Sequence, residues 1–429
     1  MTVQRTDVVI IGAGHSGLAM SRRLTERSID HVVLERGAVA HSWRAERWPG
    51  LRLLTPNWQT RLPGGGYQGD DPDGHLAAAE VAELLAHYAR QIDAPVQQQT
   101  TVEQVRADGD GAYSIQSDQG GWNARSVVIA SGANSVPHLP DCAAALPSTI
   151  TQVTTRDYRG PTTLPEGGVL VVGAAATGAQ LADELARAGR RVVLSVGEHV
   201  RLPRDYRGRD VFWWMDRSGV LDERFDEVDD IVRARHVPSP QLVGSAERRA
   251  VDLAALRELG VELVGRLGTV RDGVALFSGG LANTVRLADL KAERLLDRFD
   301  AWAAATEAPV DAAVDAPHRL EPTQVDPSPR LMLDLQKQGI TTVIWATGFR
   351  PRYDWLDVPV LDAKGRVRHE GGVVDAPGLY LLGASLLRRR RSTYIDGAAQ
   401  DSLELAEHLA AHLQSSPRES ALAAGPALV

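Results

Sequence analysis

Cysteine is almost absent from this chain of 429 residues, in which Cys142 is the single example. One thiol excludes a disulfide framework, a CxxC redox pair and a thiolate metal site. We therefore predict no bound metal and no dithiol chemistry.

An excess of positive charge is also missing, and so is a long apolar run. The formal net charge of −8 argues against a general nucleic-acid binder, which is normally basic. No apolar run approaches the roughly 18 residues of a membrane span, and the N-terminus lacks the basic segment and apolar core of a signal peptide. These absences predict a cytoplasmic protein, a monomer or homodimer, that binds small molecules rather than nucleic acid or a membrane.

The chain does contain two glycine-rich turns, and the first lies in the stretch VVIIGAGHSG near the N-terminus. Its β-branched residues predict a strand buried on both faces. Gly12 permits a tight turn, Gly14 lets the backbone approach a pyrophosphate, and Gly17 lets the following helix pack closely on the strand. We therefore expect a dinucleotide at this turn.

A helix should begin at His15 and Ser16, where free N–H groups and the positive end of the helix dipole face the phosphates. The next predicted strand ends at Glu35, whose carboxylate is placed to accept hydrogen bonds from a ribose diol. Strand, turn, helix, strand and acid thus occur in the order of a dinucleotide fingerprint. This turn alone does not distinguish FAD from NAD.

The second turn lies in the stretch VLVVGAAATG, where Gly173 and Gly178 take the outer glycine positions. Ala175 replaces the middle glycine and Thr177 precedes the last one, so a phosphate can still approach, although less closely. We predict a second dinucleotide site here.

The strand after the second turn ends at Ser195 without a carboxylate. Arg201 and Arg204 follow, and arginine pairs bidentately with phosphate. These residues favour the 2′-phosphate of NADPH, with NADH as the alternative; both arginines can also be read as solvated loop charges. A nicotinamide beside a second dinucleotide suggests hydride transfer to a flavin, so we predict FAD and NADPH as cofactors.

Three further apolar strands end in small residues, which let a chain leave a sheet beside a bound dinucleotide. A helix follows the last of them, close to Asp396. The predicted cofactor contacts at these positions are Ala130, Gly132, Ala346, Thr347, Gly348, Gly383 and Asp396.

The order of these motifs predicts an α/β fold. It consists of two Rossmann-like, three-layer dinucleotide-binding domains, with the NAD(P)H-binding domain inserted into the FAD-binding domain. Residues 1–160 form the first part of the FAD domain, 161–330 the NAD(P)H domain with an insertion, and 331–414 the second part of the FAD domain. Residues 415–429 are predicted to be a disordered tail.

The two glycine turns, the ATGF stretch at 346–349 and the terminal GLYLLG and IDG stretches resemble the flavin-containing monooxygenase family. More generally they resemble the NADPH-dependent class B flavoprotein monooxygenases. The resemblance implies that Gly12, Gly14, Gly17 and Glu35 hold FAD, whereas the second turn holds NADPH.

By the same resemblance, Trp43 lies where the family has a tryptophan beside the flavin. Asn57 matches an asparagine that reaches the flavin edge where peroxide forms, and it is the predicted catalytic residue. The alternative reading of Asn57 is a turn residue after Pro56. The helix near Asp396 would point its positive end at the reduced flavin.

One departure concerns the signature FxGxxxHxxx(Y/F) that links the two domains in the family. Tyr158 is retained here, but Thr154 takes the position of the histidine. This difference weakens the inference to oxygenation and leaves the fold and cofactors untouched.

The resemblance implies an FAD-dependent oxidoreductase that uses NADPH and O2 to oxygenate a small nitrogen- or sulfur-containing nucleophile through a C4a-hydroperoxyflavin. One alternative is an NAD(P)H:acceptor reductase or oxidase on the same scaffold. Another is a non-catalytic redox-sensing flavoprotein, for which the run Arg388–Arg391 is the candidate partner contact. The aromatic stretch at 212–214 fits either a substrate-pocket wall or a core contact.

Overall fold

The computed structural model describes residues 3–108, 111–306 and 315–415. Apart from residue 415, the predicted disordered tail lies outside the described residues. Strands are numbered β1–β24 and helices α1–α9 in chain order. Within the described ranges, no helix combines the length and apolar character needed to cross a membrane.

The first sheet has a parallel centre in which β5, β2, β1, β8 and β24 are neighbours. Val8, Val9 and Ile10 of β1 are fully buried, as expected for a strand covered on both faces. An antiparallel extension, β8–β7–β6, widens this sheet, and β21 pairs with β6. Its strands are β1 (Val3–Ile11), β2 (His31–Leu34), β5 (Val96–Gln97), β6 (Val102–Ala107), β7 (Tyr113–Ser117), β8 (Gly120–Ile129), β21 (Leu356–Asp357), β22 (His369–Glu370), β23 (Val373–Val374) and β24 (Leu379–Leu381).

The second sheet is parallel throughout, in the order β10–β19–β11–β12–β15. Its strands are β10 (Thr151–Thr154), β11 (Gly168–Val172), β12 (Val192–Ser195), β15 (Glu262–Val264) and β19 (Ile340–Trp345). The chain leaves the first sheet, builds the second and returns to the first at β21. The prediction of an inserted parallel unit within an α/β fold is therefore confirmed.

The predicted boundaries at 160 and 331 do not follow these sheets. Both β10 and β19 were assigned to the FAD domain, but β19 pairs with β10 on one side and β11 on the other. The second unit therefore includes strands on both sides of the range 161–330. The reason is that a short strand carries no local signal of which parallel sheet it joins.

The described residues also form four smaller hairpins and sheets. They comprise β3 (Arg61–Leu62) with β4 (Gly65–Gly66), β9 (Val136–Pro137) with β20 (Phe349–Arg350), β13 (Asp205–Tyr206) with β14 (Arg209–Asp210), and β16 (Leu267–Arg271), β17 (Val274–Phe277) and β18 (Met332–Asp334).

Helices α1 and α9 pack against each other on the first unit, and α4 packs against β11, β12 and α7 in the second. The helices are α1 (His15–Thr25), α2 (His41–Ala45), α3 (Ala78–Gln91), α4 (Ala176–Arg187), α5 (Val211–Arg217), α6 (Ile231–Ala234), α7 (Leu253–Glu258), α8 (Leu281–Ala305) and α9 (Gly397–Ser415).

An aromatic core joins α5 to α8. Trp214 is fully buried, stacks on Phe299 with ring centroids 5.9 Å apart, and meets Trp302 edge-on. Phe212, which is also buried, contacts Tyr394. The aromatic stretch at 212–214 therefore belongs mainly to a packed core, the second of its two readings.

The arginine run at 388–391 connects α5 and the residues that follow it to α9. Arg391 pairs with Asp216 of α5 at 2.6 Å and with Asp396 at 2.7 Å. Arg390 pairs with Glu223, and Arg389 pairs with Asp401 at 3.1 Å. Because these side chains are used inside the molecule, the run is a structural connection and not the free basic surface that a partner contact would need.

Candidate dinucleotide-binding cleft

A cleft of about 980 Å³ opens at the carboxyl end of the first sheet and reaches the start of α4. Ligands of open parallel sheets bind at this end of the strands. Ten of the residues predicted from the sequence line it. They are Gly12, Gly14, His15, Ser16, Glu35, Trp43, Ala130, Gly132, Thr177 and Gly383.

The first glycine turn has little room for side chains. Gly12 has a φ of +108°, and a Cβ on it would lie 2.6 Å from the carbonyl oxygen of Ala130. A Cβ on Gly17 would lie 1.9 Å from the carbonyl oxygen of Gly12. Gly17 itself does not line the cleft; it allows α1 to pack on the turn. A Cβ on Gly14, in contrast, would meet no atom within 4 Å, so the cleft is open at this point.

Glu35 is buried at the end of β2 and faces the turn. One carboxylate oxygen accepts a hydrogen bond from the N–H of Ala13 at 2.8 Å, and the other from the N–H of Gly37 at 3.0 Å. A carboxylate has about four acceptor positions. Glu35 is therefore held rigidly and keeps acceptor capacity for the hydroxyl groups of a ligand.

Two buried polar atoms beside the first turn have no hydrogen-bond partner among the described residues. They are Nε2 of His15 and the hydroxyl oxygen of Ser131, and both residues line the cleft. Burial lowers the pKa of His15 to about 4, so its ring is neutral at neutral pH. Buried polar atoms are nearly always paired. These atoms, together with the open space at Gly14, fit a polar ligand such as a dinucleotide.

The second glycine turn repeats the first. Gly173 has a φ of +107°, and a Cβ on it would lie 2.4 Å from the carbonyl oxygen of Ala346. A Cβ on Gly178 would lie 1.8 Å from the carbonyl oxygen of Gly173. Gly173, Ala175 and Gly178 shape the turn without lining the cleft, which Thr177 and the neighbouring Ala176 reach.

A strap, which we define as residues 239–242, crosses the second turn. The carbonyl oxygen of Ser239 accepts a hydrogen bond from the N–H of Ala176 at 3.2 Å. The side-chain amide of Gln241 donates to the carbonyl oxygen of Ala174, and that of Gln180 to the carbonyl oxygen of Leu242, each at 2.7 Å. One N–H group at the start of α4 is therefore already used by the chain itself.

Ala346, Thr347 and Gly348 do not line the cleft. They lie behind the second turn, where Ala346 packs against Gly173 and the Thr347 hydroxyl donates to the carbonyl oxygen of His138. The next residue, Phe349, does line the cleft.

The prediction that Arg201 and Arg204 hold a 2′-phosphate is wrong. Arg201 pairs with Asp252 at 2.9 Å and with Asp289 at 2.8 Å, and its side chain is 7 % exposed. Arg204 pairs with Asp210 at 2.6 Å and its side chain is 2 % exposed. Carboxylates pair with both guanidinium groups, Asp252 and Asp289 from distant parts of the chain and Asp210 from six residues away, and neither arginine lines the cleft.

Ser195 also serves the fold. Its hydroxyl donates to the carbonyl oxygen of Gly265 at 3.1 Å and accepts from the N–H of Leu267 at 2.9 Å. It thereby connects β12 to the loop after β15 and does not line the cleft, so its assignment as a cofactor contact was wrong.

Asn57 is a turn residue, which was the alternative interpretation of its role. Its amide nitrogen donates to the carbonyl oxygen of Asp71 and its amide oxygen accepts from the N–H of Leu76, both at 2.9 Å. The side chain is buried and does not line the cleft. Both ends of the amide hold a loop together, so the catalytic role is not supported.

Asp396 immediately precedes α9 but does not line the cleft. It is buried, and its carboxylate pairs with Arg391. Burial raises the pKa of Asp396, while Arg391 opposes that rise. The cleft is lined nearby by Thr393 and Tyr394 instead.

Sequence reasoning missed a charge cluster in the cleft. Glu46 is buried and accepts hydrogen bonds from Arg36 at 2.5 Å and from Arg156, which follows β10. The cluster therefore joins the first unit to the second. Glu46 and Arg156 lie far apart in the sequence, so no spacing could have revealed the pair.

The position of the missing histidine lies beside this cluster. The Thr154 hydroxyl donates to the carboxylate of Asp157 at 2.5 Å and does not line the cleft. Tyr158 is fully buried, with its hydroxyl 3.4 Å from a carboxylate oxygen of Glu184.

Comparisons with known proteins place this fold in a class. Residues 9–210 match the model of the family "Pyridine nucleotide-disulphide oxidoreductase". The chain is 29 % identical over 409 residues to "Uncharacterized oxidoreductase CzcO-like" of Geobacillus kaustophilus, covering 95 % of this chain and 99 % of that protein. It is 31 % identical to indole-3-pyruvate monooxygenase YUCCA6 of Arabidopsis thaliana, over 48 % of this chain and 52 % of that one.

Solved structures show the same fold. A flavin-containing monooxygenase from Stenotrophomonas maltophilia superimposes with a TM-score of 0.66 at 19 % identity, covering 96 % of this chain and 99 % of that one. The bacillithiol disulfide reductase of Staphylococcus aureus gives 0.60 at 11 % identity, covering 95 % and 99 %. A complex of OTEMO with FAD and NADP gives 0.54 at 14 % identity, covering 97 % and 89 %.

These similarities confirm three predictions made from the sequence: the α/β fold with two dinucleotide units, the oxidoreductase class and the resemblance to flavin-containing monooxygenases. FAD and NADP, the cofactor types predicted here, are also the ligands bound in the OTEMO complex.

Proposed function

We propose that this chain is an NADPH-dependent flavoprotein monooxygenase that oxygenates a small nitrogen- or sulfur-containing nucleophile with O2. One observation carries the proposal: the starts of α1 and α4, each behind a glycine turn, line the same cleft. Electrons can pass directly between two dinucleotides only when their sites share a space. NADH is kept as the alternative reductant.

FAD is assigned to the first turn. The N–H groups at the start of α1 would hold its pyrophosphate, Glu35 would accept hydrogen bonds from ribose hydroxyl groups, and the unpartnered atoms of His15 and Ser131 would gain partners. When bound, the flavin supplies the redox chemistry, accepting a hydride and passing electrons to O2. The oxygenating species that the resemblance implies stays a prediction.

NADPH is assigned to the second turn, and its 2′-phosphate needs a residue other than Arg201 or Arg204. Arg266 is exposed, and its Cγ lies 3.9 Å from the position a Cβ would take on Gly197. Gly197 follows β12 closely, the strand end where the adenosine ribose of a nicotinamide dinucleotide belongs. Arg266 does not line the cleft either, but it is exposed where Arg201 and Arg204 are buried, so it is the residue proposed to contact a 2′-phosphate that extends beyond the cleft.

Aromatic and aliphatic side chains form part of the cleft lining, among many polar ones. They are Trp43, Trp48, Leu51, Leu54 and Tyr394. Where these side chains cover bound cofactors they would limit the access of water, which suits a substrate that attacks as a soft, uncharged nitrogen or sulfur atom. No side chain is required as a nucleophile.

An NAD(P)H:acceptor reductase or oxidase is the second candidate. Two observations favour it: Asn57 is used by the backbone, and Thr154 turns to Asp157 rather than to the cleft. The redox-sensing alternative loses its candidate contact, because the arginine run is paired inside the molecule. A cytoplasmic location and a monomeric or homodimeric state stay predictions.

The experiment is to purify the full chain with its flavin and supply NADPH, ¹⁸O2 and a panel of amines and sulfides. The monooxygenase predicts ¹⁸O in an N- or S-oxide, with less H2O2 formed than NADPH consumed. Stoichiometric H2O2 with no labelled product would favour the oxidase or reductase. A purified protein that contains no flavin and binds none on addition would overturn both candidates.

A further inference from the structure

Most charged side chains that line the cleft are already paired. Glu35 accepts two backbone N–H groups, Glu46 accepts from Arg36 and Arg156, and Arg352 pairs with Asp354 at 2.6 Å. Satisfied charges of this kind hold the walls in place and do not call for a ligand.

Arg47 is different. Among the described residues, no carboxylate lies within 4.0 Å of its guanidinium nitrogens, and the carbonyl oxygen of Glu46, at 3.4 Å from Nη1, is its recorded hydrogen-bond acceptor. It nevertheless lines the cleft. Burial lowers the pKa of Arg47, and the neighbouring Arg156 adds to that effect while Glu46 opposes it. The cation is therefore held in a position where its own charge is poorly compensated.

The side chain is also held in place. The guanidinium carbon lies 5.4 Å from the centroid of the Trp43 ring, within the range of a cation–π contact. Such a contact orients a guanidinium without neutralising it. Holding a partly desolvated cation without a counter-ion costs free energy unless an anion binds to it. Because Arg47 lines the cleft, a ligand bound there can supply that anion.

We propose that Arg47 is a ligand-binding residue that pairs with an anionic group, a carboxylate or a phosphate, of a molecule bound in the cleft. This rests on the proposed function, in which the cleft takes two dinucleotides and a substrate. Carboxylate and phosphate both match the planar fork of arginine. Two sources therefore share the chemistry: a phosphate of NADPH, or a carboxylate on the substrate.

The test compares Arg47→Met with Arg44→Met in flavin-loaded protein. Methionine keeps much of the apolar stem and removes the charge, and Arg44 lies nearby on α2 but outside the cleft lining, where it already pairs with Glu83 at 2.8 Å. Two probes separate the sources: calorimetric titration of NADPH, and KM values for an aryl sulfide carrying a carboxylate against its methyl ester. Flavin stoichiometry and circular dichroism show whether each variant is folded.

If the anion is a phosphate of NADPH, Arg47→Met should raise the NADPH Kd about 10- to 100-fold, the loss of a charged hydrogen bond. If it is a substrate carboxylate, the KM of the acid should rise by that factor, with the ester and NADPH changing less than about twofold. Arg47→Lys should recover part of either loss. Arg44→Met should change each value less than about twofold.

Unchanged NADPH and acid values in folded, flavin-loaded Arg47→Met would overturn the assignment of Arg47 while leaving the proposed function intact. A wild-type protein that binds neither cofactor would contradict the proposed function itself. If Arg47→Met does not fold, the same titrations on Arg47→Lys decide, and unchanged values there also overturn the assignment.

Discussion

The two glycine turns have nearly the same backbone and very different surroundings. Gly12 and Gly173 have φ values of +108° and +107°. A Cβ on Gly12 would clash with the carbonyl oxygen of Ala130, and one on Gly173 with that of Ala346. Gly17 and Gly178 repeat the tight contact of helix on turn. In both units a strand leads into a helix through a tight turn, and this geometry requires the same glycine spacing each time.

The two turns differ in the residues that surround them. The first has a buried carboxylate, Glu35, at the end of the next strand, and the second has Ser195, which is used by the fold. A Cβ on Gly14 would meet open space, whereas Ser239 covers the N–H of Ala176. The same turn is thus open in one unit and strapped in the other, which shows that the glycine spacing does not determine access.

The largest effect should come from filling the helix–turn contacts. In Gly17→Ala the new Cβ would lie 1.9 Å from a carbonyl oxygen, so the turn must open, at a cost at or above the ~1–3 kcal/mol of an overpacked site. We expect Gly17→Ala to lose FAD. Gly178→Ala, at 1.8 Å, should keep FAD but lose reduction by NADPH. Flavin-to-protein ratio and anaerobic bleaching by NADPH measure the two losses.

The matched control is Gly14→Ala, whose Cβ meets no atom within 4 Å. Its melting temperature should stay close to that of the wild type. If Gly17→Ala and Gly178→Ala lost FAD equally, the assignment of FAD to the first turn and NADPH to the second would be contradicted.

A smaller effect concerns the arginines near the second turn. Arg201→Met removes one partner of a buried ion-pair cluster, so we expect a loss of about 3–5 kcal/mol in the free energy of unfolding, measured by urea denaturation. The ratio of the NADPH and NADH KM values should not change, because Arg201 faces Asp252 and Asp289.

The counterpart is Arg266→Met on the exposed face. It should raise the KM for NADPH and leave that for NADH unchanged, with little change in stability, because Arg266 is exposed. A shifted cofactor ratio in Arg201→Met, with none in Arg266→Met, would contradict the structural assignment of both arginines.

The smallest effect tests the strap. Gln241 is buried and its amide holds the strap to Ala174. Gln241→Leu removes one hydrogen bond of about 1 kcal/mol that holds the strap in place. A strap that competes with NADPH would then be displaced more easily, so the Kd for NADPH should fall up to about fivefold. The Kd for FAD should stay the same, which is the internal control. A higher NADPH Kd would mean that the strap forms part of the nicotinamide site.

Sequence patterns predicted the parts of the cleft that depend on short stretches of chain. Gly12, Gly14, Glu35 and Gly383 were predicted because strand–turn–helix geometry constrains residues close together in sequence, whereas Trp43 was predicted from the family resemblance; all five line the cleft. Arg201 was misassigned because the carboxylates that pair with it lie far along the chain, and Arg204 because only the fold shows that nearby Asp210 turns towards it. Asn57 was misassigned for a similar reason, since its backbone partners lie on a later loop.

The sequence by itself determined two dinucleotide-type turns, the α/β class and the nesting of one unit in the other, because these follow from local steric limits and from the order of apolar strands. Only the tertiary structure decided which sheet β10 and β19 join, which arginines are neutralised, and that the second turn is strapped. Parallel pairing, ion pairs and coverage of a helix start all depend on residues distant in sequence, and distance in sequence leaves no periodic trace.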